Sequence, residues 1–223
     1  MLTNFQSNGF EIIEKFLSSD QLINLKNDLK SVSLNELKGG IRNAEKKFLS
    51  IKSLVSSEQL LAKAQNYLLN SPKLVRVILF DKSPANNWLV PWHQDRTVAV
   101  SGKFESKEWG PWSIKDETLH VQPPLEVLNQ MVAFRIHIDD ATRENGCLKI
   151  IPKSHLLGLL SPSEIQTYTE KEACIECEAK EGSVLIMRPH LLHSSGKANG
   201  SKHLRVIHIE YSSFQLPDGI DWV

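Results

Sequence analysis

The sequence predicts a mainly β protein, an antiparallel sandwich or barrel with helices packed outside it. Three observations carry this. Helical spacing dominates residues 1–73, strand-like runs follow over 74–211, and the two do not alternate as βαβ units. The chain of 223 residues, 41% apolar and 23% charged, suits one large globular domain. No repeat or interior linker divides it, so residues 1–223 are read as a single domain.

Taken in order, residues 9–17 form a short apolar run, a strand. Ser18 or Ser19 then caps a helix with Leu22, Leu25, Leu29 and Val32 at helical spacing. Residues 35–47, with Gly39-Gly40, read as loop. Ser56-x-x-Gln59 has the form of a capping box and opens a second helix to about Leu69, closed by Pro72. Leu74–Phe80 is β-rich. A turn at 83–87 leads to a run carrying His93 and Asp95. Residues 101–126, with Trp109, Trp112 and Pro123-Pro124 among charges, are a long irregular excursion, the pattern of a lid or cover. A short helix follows at 124–131. In Met131–Asp139, Val132, Phe134, Ile136 and Ile138 alternate against Arg135 and His137, a strand in which His137 could line a pocket. Glu144-Asn145-Gly146 is a tight turn, Leu148–Pro152 a strand, and Ser161-Pro162-Ser163-Glu164 a helix start with proline in its first turn. Ala173–Ala179, Ser183–Met187 and His203–Tyr211 complete the strands.

Lys+Arg and Asp+Glu both number 26, so charge gives no reason to expect nucleic acid or an anionic membrane surface as partner. No run of 18 apolar residues predicts a membrane span, and the first twenty residues lack the layout of a signal peptide. Three cysteines do not make a disulfide framework, so a reducing, cytoplasmic setting is the simplest expectation. Cys174 and Cys177 have redox spacing, yet on a strand they face opposite sides.

His93 and Asp95 are two apart, so on a strand they project to one face and can take adjacent positions on a metal. His193 is the candidate third ligand and His190 its competitor. A pair spaced three apart on a strand faces opposite ways, so only one should turn inward. Two histidines and one carboxylate on one side leave positions open, which suits ferrous iron that must also take a co-substrate and oxygen. Structural zinc would close its shell with four ligands. Arg205, twelve residues on, needs a charged partner if buried. That partner is either a ligand carboxylate or a protein acid.

Trp92-His93-Gln94-Asp95, Asp139–Leu148 with Glu144-Asn145-Gly146, Ile151-Pro152-Lys153-Ser154-His155, His193-Ser194-Ser195 and Arg205 occur in the order of the phytanoyl-CoA dioxygenase family. The chain resembles that family over residues 9–211. The resemblance implies a double-stranded β-helix (jelly roll, cupin-like) and an Fe(II)- and 2-oxoglutarate-dependent dioxygenase. Such an enzyme uses O2 to hydroxylate a small molecule while 2-oxoglutarate becomes succinate and CO2. It implies His93, Asp95 and His193 as iron ligands, and Arg205 with Ser195 for the distal carboxylate of 2-oxoglutarate. Arg135 stands where several members carry a tryptophan beside the co-substrate, Arg42 matches a basic pocket residue, and Ile78 falls where a methionine lines the pocket. Trp109 and Trp112 would cover the mouth and touch substrate, or only plug the barrel end. The chain departs from the family in Lys153, where the family's Pro-Gly-Ser-His turn has glycine. It departs also in a gap to Arg205 that is about one residue long, assigned to the hairpin around Asn199-Gly200. A carboxylate at Asp95, where halogenating relatives have a small residue, implies oxygenation. The rival readings are a cupin-like metal- or ligand-binding protein without turnover and a zinc hydrolase.

Overall fold

A computed structural model describes residues 4–30, 40–83, 86–199 and 203–223. Val32, Gly39 and Gly200, which the sequence reading placed in a helix, a loop and a hairpin, lie outside those residues.

The N-terminal part supplies α1 (Asn4–Asn8), β1 (Phe10–Ile13), α2 (Ser19–Leu29), β2 (Ile41–Arg42), α3 (Ala44–Lys47), α4 (Leu49–Val55) and α5 (Glu58–Gln65). Ser18 caps α2 with a full capping box, its side chain accepting from Gln21 N while the Gln21 side chain accepts from Ser18 N. The helix expected from Ser56 is α5, with its cap one residue further on, and α4 before it was not anticipated. Ser56 is the C-cap of α4, and Ser57 caps α5 by accepting from Leu60 N.

The strands that follow are β3 (Lys73–Lys82), β4 (Val90–His93), β5 (Val98–Val100), β6 (Trp112–Lys115), β7 (Thr118–Val121), β8 (Met131–His137), β9 (Leu148–Ile150), β10 (Ile175–Cys177), β11 (Val184–Met187), β12 (His193–Ser195) and β13 (Leu204–Ser212). Between them lie α6 (Leu125–Asn129) and α7 (Pro162–Lys171), the latter capped by Ser161 with Glu164 in a capping box. Six strands form one antiparallel sheet in the order β1-β11-β8-β13-β3-β2, and four form a second, β10-β9-β12-β4. The two face each other across Ala133, Leu185 and Met187 of the large sheet and Leu148, Ile150 and Cys177 of the small one. This is the double-stranded β-helix.

The large sheet's outer face carries Val77, Leu79, Phe134, Ile136, Ile207, Ile209 and Tyr211, buried beneath Leu25, Ile51, Leu60 and other residues of the helices. Each fully buried aliphatic or aromatic side chain there contributes roughly 1.5–3 kcal/mol of transfer free energy. The alternation on β3, β8 and β13 sends the other residues inward, and these line the site.

Residues 101–126 are less irregular than expected. β6 and β7 form a hairpin that joins β5 as a three-stranded sheet. Val98, Val100, Val121 and Trp109 close an apolar cluster with Val127, Leu128 and Met131. The charged residues flanking the tryptophans masked this, since only one face of the hairpin is covered.

Candidate metal centre

A cavity of about 430 Å³ opens between the sheets. His93 ends β4 and His193 begins β12, directly opposite each other in register. Asp95 lies just past the end of β4, where its N–H donates to Pro189 O at 2.9 Å. The three side chains converge there, each offering a ligand atom within 4.8 Å of the others. His93 Nε2 is 3.7 Å from Asp95 Oδ1, and His193 Nε2 is 3.5 Å from Asp95 Oδ2. Each histidine sets its Nδ1 on a carbonyl two residues earlier, Pro91 O at 2.9 Å and Leu191 O at 2.7 Å. A proton on Nδ1 is therefore fixed, and the Nε2 lone pair of each ring points at the centre. Burial, reinforced by His93, pushes His193 down to about 3, so it is neutral and able to ligate. Burial opposes ionisation of Asp95, but His193, His208, His93 and Arg76 outweigh it and hold the carboxyl below its ordinary range. This donor set, two imidazoles and one carboxylate preset on one side of a cavity, fits a divalent metal with open positions.

His190 turns away, fully buried and 6.2 Å from the His155 ring, and it lies in the turn between β11 and β12 and not on a strand. Trp92 packs with Ile151, Leu160 and Leu192 on the far face of β4. Gln94 ties that region together, donating to Gly158 O and His190 O and accepting from Leu160 N.

Ser195, Arg135, Arg42 and Ile78 all line the cavity. Arg205 does not. On β13 the inward residues are Leu204, Val206 and His208, and Arg205 faces out. Its Nε and Nη2 donate to Asp139 at 2.8 and 2.7 Å, the protein-acid pairing the sequence left open. Strand alternation puts Arg205 on the face opposite Leu204 and Val206. Trp109 and Trp112 sit with Phe104 in the apolar cluster of the three-stranded sheet and do not line the cavity; Lys115 of the same hairpin does. His137 is buried beside the cavity without lining it, its Nδ1 unpartnered, and burial with Arg135 nearby pushes it down to about 4. Burial raises the thiols of Cys147 and Cys177 to about 11 and 12, which leaves them protonated and unreactive.

Four residues that the sequence reading did not single out enter the site. Arg76 donates to Glu210 at 2.6 Å, and His208 Nε2 lies 3.1 Å from Glu210 and 3.9 Å from Asp95. This buried string backs the metal-side carboxylate. Burial disfavours charge on Glu210, and Arg76 and His208 more than offset it. Lys82, 5% exposed, donates to Ser195 Oγ at 2.5 Å and Gly196 O at 2.7 Å. The signal was present: Arg76 and Lys82, and His208 and Glu210, interrupt apolar strands at even spacing, so each pair shares a face. Six cations line the cavity (Arg42, Arg76, Lys82, Arg96, Lys115, Arg135) against one acid, Asp95, in a chain of balanced charge.

Residues 5–207 match the family described as Phytanoyl-CoA dioxygenase (PhyH). The peroxisomal phytanoyl-CoA dioxygenase of Bos taurus is 21% identical over 213 residues, an alignment covering 86% of this chain and 62% of the bovine protein. This chain thus spans less than two thirds of that relative's length. Among solved structures, AviO1 from Streptomyces viridochromogenes superposes with a TM-score of 0.71 at 22% identity, covering 96% of this chain and 94% of AviO1. EctD from S. alaskensis, solved with 2-oxoglutarate and 5-hydroxyectoine, superposes with a TM-score of 0.69 at 16% identity, covering 94% of this chain and 73% of EctD. At these identities both show likeness of fold. Among the described residues no helix is long and apolar enough to cross a membrane.

Proposed function

The chain belongs to the phytanoyl-CoA dioxygenase family, and from that premise we propose that it is an Fe(II)- and 2-oxoglutarate-dependent dioxygenase that hydroxylates a small organic molecule. The single observation that carries this is the His93, Asp95 and His193 group, with both Nε2 lone pairs aimed at one point beside a cavity rich in cations. EctD, a structure of the same fold, holds 2-oxoglutarate.

His93, Asp95 and His193 would hold the iron, which when bound activates O2 and couples decarboxylation of 2-oxoglutarate to C–H oxidation. The chain's own residues supply orientation and charge. Pro91 O and Leu191 O fix the ligand imidazoles, and the Arg76, Glu210 and His208 string fixes Asp95. The cavity walls Ile78, Phe80, Leu148, Leu204 and Val206 exclude water from one side of the reacting centre. 2-Oxoglutarate brings two negative charges. The further cations Arg96 and Lys115, which form no salt bridge among the described residues, support a primary substrate with an acidic or polar group.

Succinate formation from 2-oxoglutarate tests the reading. It is expected to require Fe(II) and O2, and to fall below about 1% of the native rate in His93→Ala, as loss of a ligand removes the metal. Iron bound without succinate under any condition would support a binding protein instead. Turnover with zinc and without oxygen would support a hydrolase.

A further inference from the structure

We propose that Lys82, assisted by Arg135 and Ser195, is the residue that anchors the distal carboxylate of 2-oxoglutarate, and that Arg205 takes no part. The inference rests on the dioxygenase reading above and assigns the charge that reading needs.

The argument starts from unbalanced charge. A buried ammonium or guanidinium is costly unless an anion faces it. Arg205 has Asp139, Arg76 has Glu210 and Arg42 has Asp116. Lys82 and Arg135 form no salt bridge among the described residues, although Lys82 is buried, Arg135 is half-buried and both line the cavity. Arg135 lies 5.5 Å from the Phe80 ring and 3.5 Å from His208 Nδ1, and its Nε has no partner. The carboxylate that acts on it at longer range, Asp95, belongs to the metal group. The two cations also repel each other, and burial with that repulsion pulls Lys82 down to about 8.

Geometry gives the ammonium a direction. An ammonium has three N–H donors. Two go to Ser195 Oγ and Gly196 O, and neither acceptor carries charge. Ser195 in turn donates to Gly146 O at 2.8 Å, so its oxygen is held toward Lys82. The third donor has no protein acceptor among the described residues, and the side chain borders the cavity. Ser195 stands two residues from the ligand His193 on the same strand, roughly 7 Å along it. A five-carbon dicarboxylate chelating at the metal would bring its far end to that corner. Lys82 and Leu204 are paired across β3 and β13. The lysine therefore enters beside the inward position of β13 that an apolar residue fills.

Calorimetric titration of the Fe(II)-loaded protein under nitrogen with 2-oxoglutarate and with 2-oxovalerate tests this, because the second acid has the same chain length and lacks the distal carboxylate. The native protein is expected to bind 2-oxoglutarate about a hundredfold more tightly than 2-oxovalerate. Lys82→Met should erase that preference and leave 2-oxovalerate affinity unchanged, which also reports an intact site. Lys82→Arg should keep most of the preference, and Arg205→Gln all of it, within about threefold. Preference retained in Lys82→Met, or erased in Arg205→Gln, would overturn the proposal. So would loss of both acids in Lys82→Met, which would make the lysine a structural prop. A native protein that binds neither acid, or does not distinguish them, would overturn the dioxygenase reading together with this one; that failure shows in the native protein before any variant is made.

Discussion

The two sheets contribute to the same cavity by different means. The four-stranded sheet holds its histidines locally. Each ring hydrogen-bonds a carbonyl two residues earlier, and the strands carrying them pair directly at His93 and His193. The six-stranded sheet holds its charged groups over long chain distances. Arg76 meets Glu210 across 134 residues, and Lys82 reaches Ser195 across 113, from one sheet to the other. Metal geometry is thus set by short backbone segments, and cavity charge by the packing of the whole barrel. The local device tolerates drift elsewhere. The long-range device couples the charge of the cavity to the stability of the fold.

Variants can break or sharpen that contrast. The largest expected effect falls on the long-range side. Arg76→Met leaves the Glu210 carboxylate buried without its partner and should lower stability by about 3–5 kcal/mol, read by urea unfolding. A loss under about 1 kcal/mol would mean the pair is not what holds β3 to β13 here. Glu210→Gln removes the charge behind His208 and keeps the shape. Fe(II) affinity should fall about tenfold to a hundredfold, measured by competition with a chelator, while unfolding changes less than in Arg76→Met. An unchanged affinity would leave the small sheet as sole keeper of the metal.

The third effect is in pH. Lys82, at about 8 in the free protein, is charged at neutral pH and loses its proton as pH rises through 8. A carboxylate binds the charged form. 2-Oxoglutarate affinity should therefore be level near pH 7 and fall by up to about tenfold per unit above pH 8. The other groups facing Lys82 do not titrate in that window. Burial leaves Arg135 at about 10, still charged, and Cys147 at about 11, still a thiol, while Ser195 and Gly196 O are neutral. Lys82→Arg should flatten the profile; the same fall in that variant would locate the proton elsewhere. The smallest effect is on the local side. Lys153 adopts a left-handed conformation, φ 66°, in the turn before Ser154, whose hydroxyl accepts from Leu192 N next to the ligand His193. Lys153→Gly should raise stability by about 1 kcal/mol in thermal unfolding, with metal affinity unchanged. Destabilisation would show that the lysine side chain contributes more than its backbone strain removes.

The same contrast explains what could be read beforehand. Local features were legible. The cap at Ser161, the alternation of Met131–Asp139 and the two-residue spacing of His93 and Asp95 are consequences of strand and helix periods. The apolar coverage of the large sheet by helices follows from the same periods. Where the reading failed, a count of residues stood in for a path in space. Arg205 lies twelve residues past His193, and that count does not set which face it takes; on β13 Leu204 and Val206 face inward and Arg205 faces out. For Trp109 and Trp112 the sequence left a cover of the mouth and a plug of the barrel end both open. The β5, β6 and β7 sheet instead gives them an apolar cluster to join.

The sequence by itself determined the main strands of the two facing sheets and the three side chains able to meet at a metal, since periodicity and backbone chemistry act within a few residues. Only the tertiary structure decided which cations are free and which are already paired. Arg42, Arg76 and Arg205 each meet a carboxylate far away in the chain, while Lys82 and Arg135 meet none among the described residues. Charge pairing depends on distance in space, and spatial proximity across more than a hundred residues exists only once both sheets have closed on the cavity.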